Sequence, residues 1–264
     1  MRLSRILAEL LVVGFALKGA SQGQTHASPS AKPRVYEVVS IKPSKPGTSG
    51  GGMRGLPDGF RDENITLDTL VDGAYDIINS DQQVVGMPSW AKSEQFDVDA
   101  RVDADTADEW KKLSNKERWK EEQPMLQAML ADRCKLKVHF ETKELPVFDL
   151  TIARHGLKMK EATPDEKSME RMGNGSITAR AMPVENLVAA LTGTDGRLIV
   201  DKTGLGDKKF DFDLQWTPDD RQMDPDAGPS LFTALEEQLG LKLVPSKGLE
   251  KVLVIDHMEK PSPN

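Results

Sequence analysis

The feature of this sequence that most constrains its fold is an internal repeat. Residues 126–150 align without gaps onto residues 231–255, with leucine, lysine and valine recurring at matched positions. Two shorter upstream blocks match in the same order, namely residues 65–71 with 182–188 and residues 96–99 with 210–213. Three blocks in one order predict a chain built from two tandem related units. A motif in one half can therefore be judged by what occupies the same place in the other half.

The local patterns within each unit predict an α+β fold. Each half contains two amphipathic helical patterns, and each of these is followed by a pair of β-rich segments. One helix is predicted to begin after Thr66, and another to end at Gly240. Residues 141–145 have the length of a hairpin connection between two strands. A helix followed by a hairpin buries its apolar face on an antiparallel sheet, so we expect βαββ-like units.

Composition changes along the chain indicate its boundaries. Arg2 and Arg5, an apolar run and small residues at 19–21 are typical of an export signal, and a polar Ser/Pro segment follows. The predicted parts are a signal peptide (1–24), a disordered spacer (25–33), a first α+β unit (34–160), a linker (161–174) and a second α+β unit (175–264). Residues 103–123 form a charged helical insertion in the first unit, with Trp110 and Trp119 among its few apolar positions.

The overall composition limits the possible partners. The formal net charge of −7 gives no electrostatic footprint for nucleic acid. After the N-terminus, no apolar run reaches the roughly 18 residues that span a bilayer. We therefore expect an exported protein, periplasmic or extracellular, without a transmembrane segment after the signal. The single cysteine, Cys134, has no partner for an internal disulfide and is interpreted as a small buried apolar group.

Two strings in the sequence suggest acyl-serine chemistry. Ser89 and Lys92 stand in an S-x-x-K pattern, and Lys202 begins a K-T-G pattern. Penicillin-binding enzymes need the serine at a helix start, its lysine one turn later, and the K-T-G on a strand facing them. Both strings, however, fall in the same interstrand loop of the two repeats when counted back from Phe96 and Phe210. Equivalent loops favour two connections over two parts of one site, so we assign no catalytic residues.

No metal or cofactor site is predicted. His26, His139, His155 and His257 show no H-x-x-x-H or H-E-x-x-H spacing. The glycine-rich residues 48–55 lack the pattern of a phosphate-binding loop. Two pairs of acids alternate with apolar residues, which places each pair on one face of a strand and favours a solvated sheet face over a calcium site. These pairs are Asp97 with Asp99, and Asp211 with Asp213.

Several strings together resemble a known family. They are residues 126–139, 141–147, 200–205, 210–216, 228–243 and 254–262. The chain resembles an uncharacterised secreted-protein family, a domain of unknown function, that is expanded in acidobacteria. Cys134 departs from the phenylalanine that this family has there, which implies a core position. The resemblance carries no catalytic residues. Similar domains attached to membrane sensor–peptidase proteins of the β-lactam-responsive type imply an extracytoplasmic binding or sensing role.

Two functional hypotheses follow. The first is an exported, non-enzymatic binding, sensing or assembly module whose partner is an unidentified envelope protein, peptide or glycan. Its binding surface is expected at an exposed strand edge, which can accept an added strand, or at Trp110 and Trp119. The alternative is an acyl-serine hydrolase or penicillin-binding-like enzyme that uses Ser89, Lys92 and Lys202.

Overall fold

Three four-stranded β-sheets and the helices packed on them make up the part of the chain that the structure describes. The structure is a computed structural model, and it describes residues 34–45, 52–163, 166–224 and 226–262. The predicted signal peptide (1–24) and spacer (25–33), including His26, lie outside these residues, as does the first half of the glycine-rich segment 48–55. The α+β fold class predicted from the sequence is confirmed.

The first half of the chain forms one complete sheet and contains helices α1 to α5. In chain order its elements are β1 (Val38–Pro43), β2 (Gly52–Leu56), β3 (Gly59–Thr66), α1 (Leu67–Tyr75), α2 (Ser80–Gln83), β4 (Val84–Val85), α3 (Ser89–Ser93), β5 (Gln95–Arg101), α4 (Ala104–Trp110), α5 (Asn115–Arg133) and β6 (Lys137–Ile152). The first sheet has the order β1-β5-β3-β2 and is antiparallel throughout. Thr66 is the N-cap of α1, as predicted.

The second half builds a sheet of the same kind. Its elements are β7 (Lys160–Glu161), β8 (Met169–Gly173), β9 (Ser176–Pro183), α6 (Val184–Asp195), β10 (Ile199–Asp201), β11 (Lys209–Gln215), a 3-10 turn (Asp219–Arg221), α7 (Leu231–Ala234), a π-helical turn (Leu235–Leu239) and β12 (Leu241–His257). This second sheet has the order β7-β11-β9-β8. Gly240 ends the last helical turn at φ 68°, as predicted. Strand β8 lies in the segment that the sequence analysis interpreted as a linker.

The central sheet corrects the predicted hairpins. Strands β6 and β12 are each continuous, and they pair antiparallel with one another along their length, from Leu241↔Ile152 to His257↔Lys137. Residues 141–145 are therefore extended and do not form a turn. The short strands β10 and β4 add in parallel to the outer edges, giving the order β10-β6-β12-β4. The polar composition that suggested a turn instead reflects a two-stranded stretch with both faces largely exposed.

Each long strand passes from one hydrophobic core to the other. One core contains the first sheet with α1 and α5, and it also receives Leu253 and Ile255 from the end of β12. The other core contains the second sheet with α6 and α7, and it receives Leu150 from the end of β6. The residues from Arg34 onward form a single compact unit. The halves thus exchange their last strands, and each core is completed by the other half.

A β-bulge of the same design occurs in both antiparallel sheets. Asn64 in β3 and Ala181 in β9 have positive φ values of 57° and 48°, which are uncommon for residues other than glycine. The backbone N–H of Asn64 donates to Asp97 Oδ1 over 3.0 Å, and that of Ala181 donates to Asp211 Oδ1 over 2.9 Å. The two aspartates that the sequence analysis placed on solvated faces therefore have a structural role, because each satisfies an N–H that the bulge turns out of the ladder.

The charged insertion folds differently from its prediction. The segment 103–123 is helical, as expected, but it is divided between α4 and the first half of α5, and α5 continues unbroken through Pro124 to Arg133. A capping box between Ser114 and Glu117 starts it. Trp119 and Leu126 both pack on the first core, one on each side of Pro124, so tertiary contacts hold the helix together where proline alone would break it.

Candidate functional site

A cavity between the first sheet and α5 combines the features expected of a ligand site. Its volume is about 200 Å³. It lies where the edge of the sheet meets the N-terminal half of α5. Its wall includes Tyr36, Phe60, Asn115, Arg118, Trp119 and Glu122, and we call it the Tyr36 cavity. Aromatic walls that surround a few convergent polar groups are typical of small-molecule sites.

The hydroxyl of Tyr36 is the unusual group in this wall. Tyr36 is only 7% exposed, and its ring meets that of Phe60 edge-on at 5.7 Å. Among the described residues, its buried hydroxyl has no hydrogen-bond partner. Burial, and then the nearby Glu122 carboxylate, raise the pKa of Tyr36 far above its ordinary value. The group is therefore a neutral phenol, which can both donate and accept a hydrogen bond. Buried polar groups are nearly always paired, so an unpaired one calls for an explanation.

Arg118 and Glu122 form a largely buried ion pair beside Tyr36. Their side chains are 21% and 12% exposed, and Arg118 Nη2 lies 2.9 Å from Glu122 Oε1. The same nitrogen donates to the carbonyl of Gly59 over 2.9 Å, and the guanidinium lies 4.5 Å from the centre of the Trp110 ring. Burial raises the pKa of Glu122, and the hydrogen bond from Arg118 opposes that shift. The pair is thus fixed in place and nearly neutral as a unit.

A buried carboxylate adds to the electrostatics behind the cavity. Asp62, in β3, is 1% exposed and accepts a hydrogen bond from the backbone N–H of Arg54 over 3.2 Å. Burial raises its pKa to about 6, although that hydrogen bond acts in the opposite direction. Asp62 also contributes to the raised pKa of Tyr36. Perturbed titratable groups cluster at functional sites more often than elsewhere, which favours this region as the site.

The polar groups of the Tyr36 cavity belong to the first half alone. Asp62 is paired with Val98 in the first sheet, whereas the matching pair in the second sheet is Ala179 with Phe212. The second half has no long helix corresponding to the part of α5 that carries Arg118, Trp119 and Glu122, because α7 begins only at Leu231. The second half forms a similar sheet without these residues, so they are not needed to build the fold. They are therefore candidates for function.

The structure does not bring the acyl-serine residues together. Ser89 begins the short helix α3, but Lys92 one turn later is paired with Asp81 at 3.1 Å. Lys202 follows β10 and is outside any strand. Ser89 follows β4, and β4 and β10 lie at opposite edges of the central sheet, separated by two strands. They also lie at different ends of the sheet, because β10 pairs beside the part of β6 that faces Leu243–Pro245, whereas β4 pairs with Leu253–Val254. At about 3.4 Å per residue, these two places are roughly 34 Å apart along β12. The facing arrangement that the chemistry needs is not formed.

Cys134 is buried, and two of the histidines considered in the sequence analysis contact acidic side chains. Cys134 is 0% exposed, and burial raises the pKa of its thiol to about 11. His139 contacts Asp256 at 2.9 Å and Glu141 at 3.3 Å, and His257 contacts Glu259 at 2.8 Å. Within the described ranges, no group of three or more His, Cys, Asp or Glu side chains could hold a metal ion.

Of the two tryptophans in the insertion, one belongs to the protein's own core and one lines the cavity. Trp110 is 2% exposed and donates from Nε1 to Glu121 over 2.9 Å. Trp119 is half-buried and forms part of the cavity wall. Sequence reasoning found Trp119 but missed Tyr36, Arg118 and Glu122. The i, i+4 spacing of Arg118 and Glu122 could have predicted an ion pair on the same helix face, next to Trp119. For Tyr36 the sequence contains no signal of a site, since it stands in an ordinary β-rich segment.

Comparison with known proteins places the chain in a family without assigning its activity. Residues 68–258 match the family described as a protein of unknown function (DUF3738). The match covers most of the chain, and the protein belongs to this family. No curated protein and no solved structure matches it. In the part of the chain that the structure describes, no helix has the length and apolar character needed to cross a membrane.

Proposed function

We propose that the protein is a non-enzymatic binding module that holds a small ligand in the Tyr36 cavity. The observation that carries this proposal is that Tyr36 lines the cavity and that its buried hydroxyl has no partner in the described residues. An unpaired buried hydroxyl costs about 1–3 kcal/mol. A ligand that forms a hydrogen bond with this hydroxyl recovers that free energy. Without a ligand, phenylalanine would fill the same position at no such cost.

The chemistry of the cavity favours binding over catalysis. Tyr36 is held as a neutral phenol, and Glu122 is engaged by Arg118, so neither group is free to act as a base near neutral pH. What the wall offers is a fixed set of donors and acceptors between aromatic surfaces. Such a set orients a ligand and selects it without transforming it.

Thermal stability in the presence of small compounds tests the proposal. The wild type and two variants are screened against a diverse library of neutral and charged compounds. Tyr36→Phe removes the unpaired hydroxyl from a residue that lines the cavity. Trp216→Phe is the matched control, because Trp216 Nε1 is also buried with no partner among the described residues, but it lies in the second core. We expect compounds that raise the melting temperature of the wild type and of Trp216→Phe, and that act much less on Tyr36→Phe. A library without hits, or with hits that all persist in Tyr36→Phe, refutes the proposal.

We further propose that the module works outside the cytoplasm, in or near the cell envelope. The support for this is the basic start, apolar run and small residues within residues 1–24. Expression of the full-length chain in its native cells, followed by fractionation and N-terminal sequencing, tests it. A mature chain that begins near residue 25 in the exported fraction is the expected result, and an intact N-terminus in the cytoplasmic fraction contradicts it.

A further inference from the structure

We infer that the ligand of the Tyr36 cavity is an uncharged, hydroxyl-rich ring, that is, a saccharide unit. This inference rests on the proposed function, since it names the chemistry that would occupy the same cavity. Three properties of the cavity support it: the charge balance of the wall, the kinds of hydrogen-bonding groups present, and the size and apolar surfaces of the space.

The charge balance disfavours a strongly charged ligand. Arg118 and Glu122 lie 2.9 Å apart and compensate one another, and Arg118 also donates to the Gly59 carbonyl. Because the pair is close to neutral as a unit, it attracts neither an anion nor a cation strongly. A charged ligand would lose hydration without gaining a counter-charge, which is unfavourable.

The hydrogen-bonding groups match hydroxyls. The Tyr36 phenol can donate and accept, and the amide of Asn115 offers both a donor and an acceptor. The lone pairs of Glu122 that Arg118 does not occupy can accept. A sugar hydroxyl is itself both donor and acceptor, so adjacent hydroxyls can satisfy such a mixed set in a way that a purely donating or purely accepting ligand cannot.

The walls and the volume match one ring. Phe60, Trp119 and Leu126 supply apolar surface against which the C–H face of a sugar can pack. The cavity of about 200 Å³ is smaller than the roughly 300–1,000 Å³ typical of sites for drug-sized ligands. A single ring with one apolar face and a polar rim is the occupant that uses both kinds of surface.

Titration of neutral sugars and their charged analogues tests the inference. The probes are glucose, galactose, mannose and N-acetylglucosamine, each free and as the methyl glycoside, beside glucuronate and glucosamine. Binding is followed by saturation-transfer NMR and calorimetry with the wild type, Tyr36→Phe and Trp216→Phe. We expect at least one neutral sugar to bind saturably, and Tyr36→Phe to weaken that binding by about tenfold, the effect of one lost hydrogen bond. We expect the charged analogue to bind more weakly, and Trp216→Phe to bind like the wild type.

The outcomes separate the ligand class from the function itself. Binding of the methyl glycoside assigns the end of a glycan chain, and binding of only the free sugar assigns a free monosaccharide. Charged analogues that bind as well as the neutral sugar, or neutral binding that is unchanged in Tyr36→Phe, overturn the inference. If no sugar binds but library compounds still act through Tyr36, the saccharide class is wrong and the proposed function stands. If neither sugars nor library compounds bind, both are wrong.

Discussion

Glu144 and Leu249 are paired opposite one another at the centre of the longest strand pair in the protein. The alignment of residues 126–150 onto 231–255 makes the same two residues equivalent. A strand pair in which equivalent residues meet at the centre is what a local two-fold axis produces. The matched bulges at Asn64 and Ala181 agree with this arrangement. Duplication of an ancestral unit remains a prediction, and it now includes a local two-fold axis that passes between Glu144 and Leu249.

The bulge in the second sheet should depend on one carboxylate. Asp211→Ala removes the acceptor for the Ala181 N–H and leaves a buried donor unpaired. We expect a loss of about 1–3 kcal/mol in the free energy of unfolding, measured by urea denaturation. Asp213→Ala on the same strand is the control, because Asp213 is exposed and its ion pair with Arg180 lies at the surface. Equal losses in the two variants would show that the bulge hydrogen bond adds nothing to stability.

The π-helical turn before β12 should be a core element. Leu235 is 0% exposed within the second core. Leu235→Ala should therefore lower the free energy of unfolding by about 2–5 kcal/mol, as for other buried leucines. Leu249→Ala offers a matched control, because Leu249 is 76% exposed. Its expected loss is under about 0.5 kcal/mol. A loss of that small size for Leu235→Ala would contradict the assignment of this turn to the core.

Stability should rise on mild acidification. Burial raises the pKa values of Asp62 and Asp72 from 3.8 to about 6. The folded state therefore binds protons more readily than the unfolded chain between pH 6 and pH 3.8, so unfolding becomes harder as the pH falls through this window. Below it, the lowered pKa values of Asp97 and Asp99 act in the opposite direction, because protonation of these groups removes stabilising hydrogen bonds and ion pairs.

Thermal unfolding from pH 7 to pH 3.5 measures this effect. Asp62→Asn keeps an acceptor for the Arg54 N–H but cannot titrate. The variant should have a smaller pH dependence than the wild type, by on the order of 1–2 kcal/mol across the window. If stability changes equally with pH in the two proteins, Asp62 is not one of the groups responsible.

The Arg118–Glu122 pair should be energetically coupled. Because both side chains are largely buried, removal of either leaves the other without its counter-charge. A double-mutant cycle with Arg118→Met and Glu122→Gln should give a coupling energy of about 1 kcal/mol or more. The cycle for the solvent-exposed pair Lys111–Asp108 is the control and should show no measurable coupling. Absence of coupling at Arg118 and Glu122 would remove the charge argument for a neutral ligand.

Local signals in the sequence predicted the elements that depend on near neighbours. The start of α1 after Thr66 follows from the helical spacing of apolar residues that begins at Leu67, and the end of the last helical turn at Gly240 follows from the conformational freedom of glycine. Strand β5 follows from simple alternation of apolar and polar residues. Where the prediction failed, long-range pairing overrode the local pattern. Residues 141–145 look like a turn, and only the partner strand β12 keeps them extended.

The candidate site was less predictable than the fold. Trp119 was singled out because the insertion differs between the halves, and it does line the cavity. Tyr36 stands in β-rich sequence more than 80 positions before Arg118 and Glu122, and no periodicity links them. Their proximity depends on the packing of α5 against the first sheet, a contact between segments that are distant along the chain.

The α+β class and most helix and strand positions could be read from the sequence alone, because they depend on patterns within a few residues. Three features become visible only in the folded protein: β6 and β12 pair with one another, each half completes the other's core, and Tyr36, Arg118 and Glu122 share a cavity. The physical reason is that pairing, burial and charge compensation act between residues distant along the chain, and their free energies outweigh local preference.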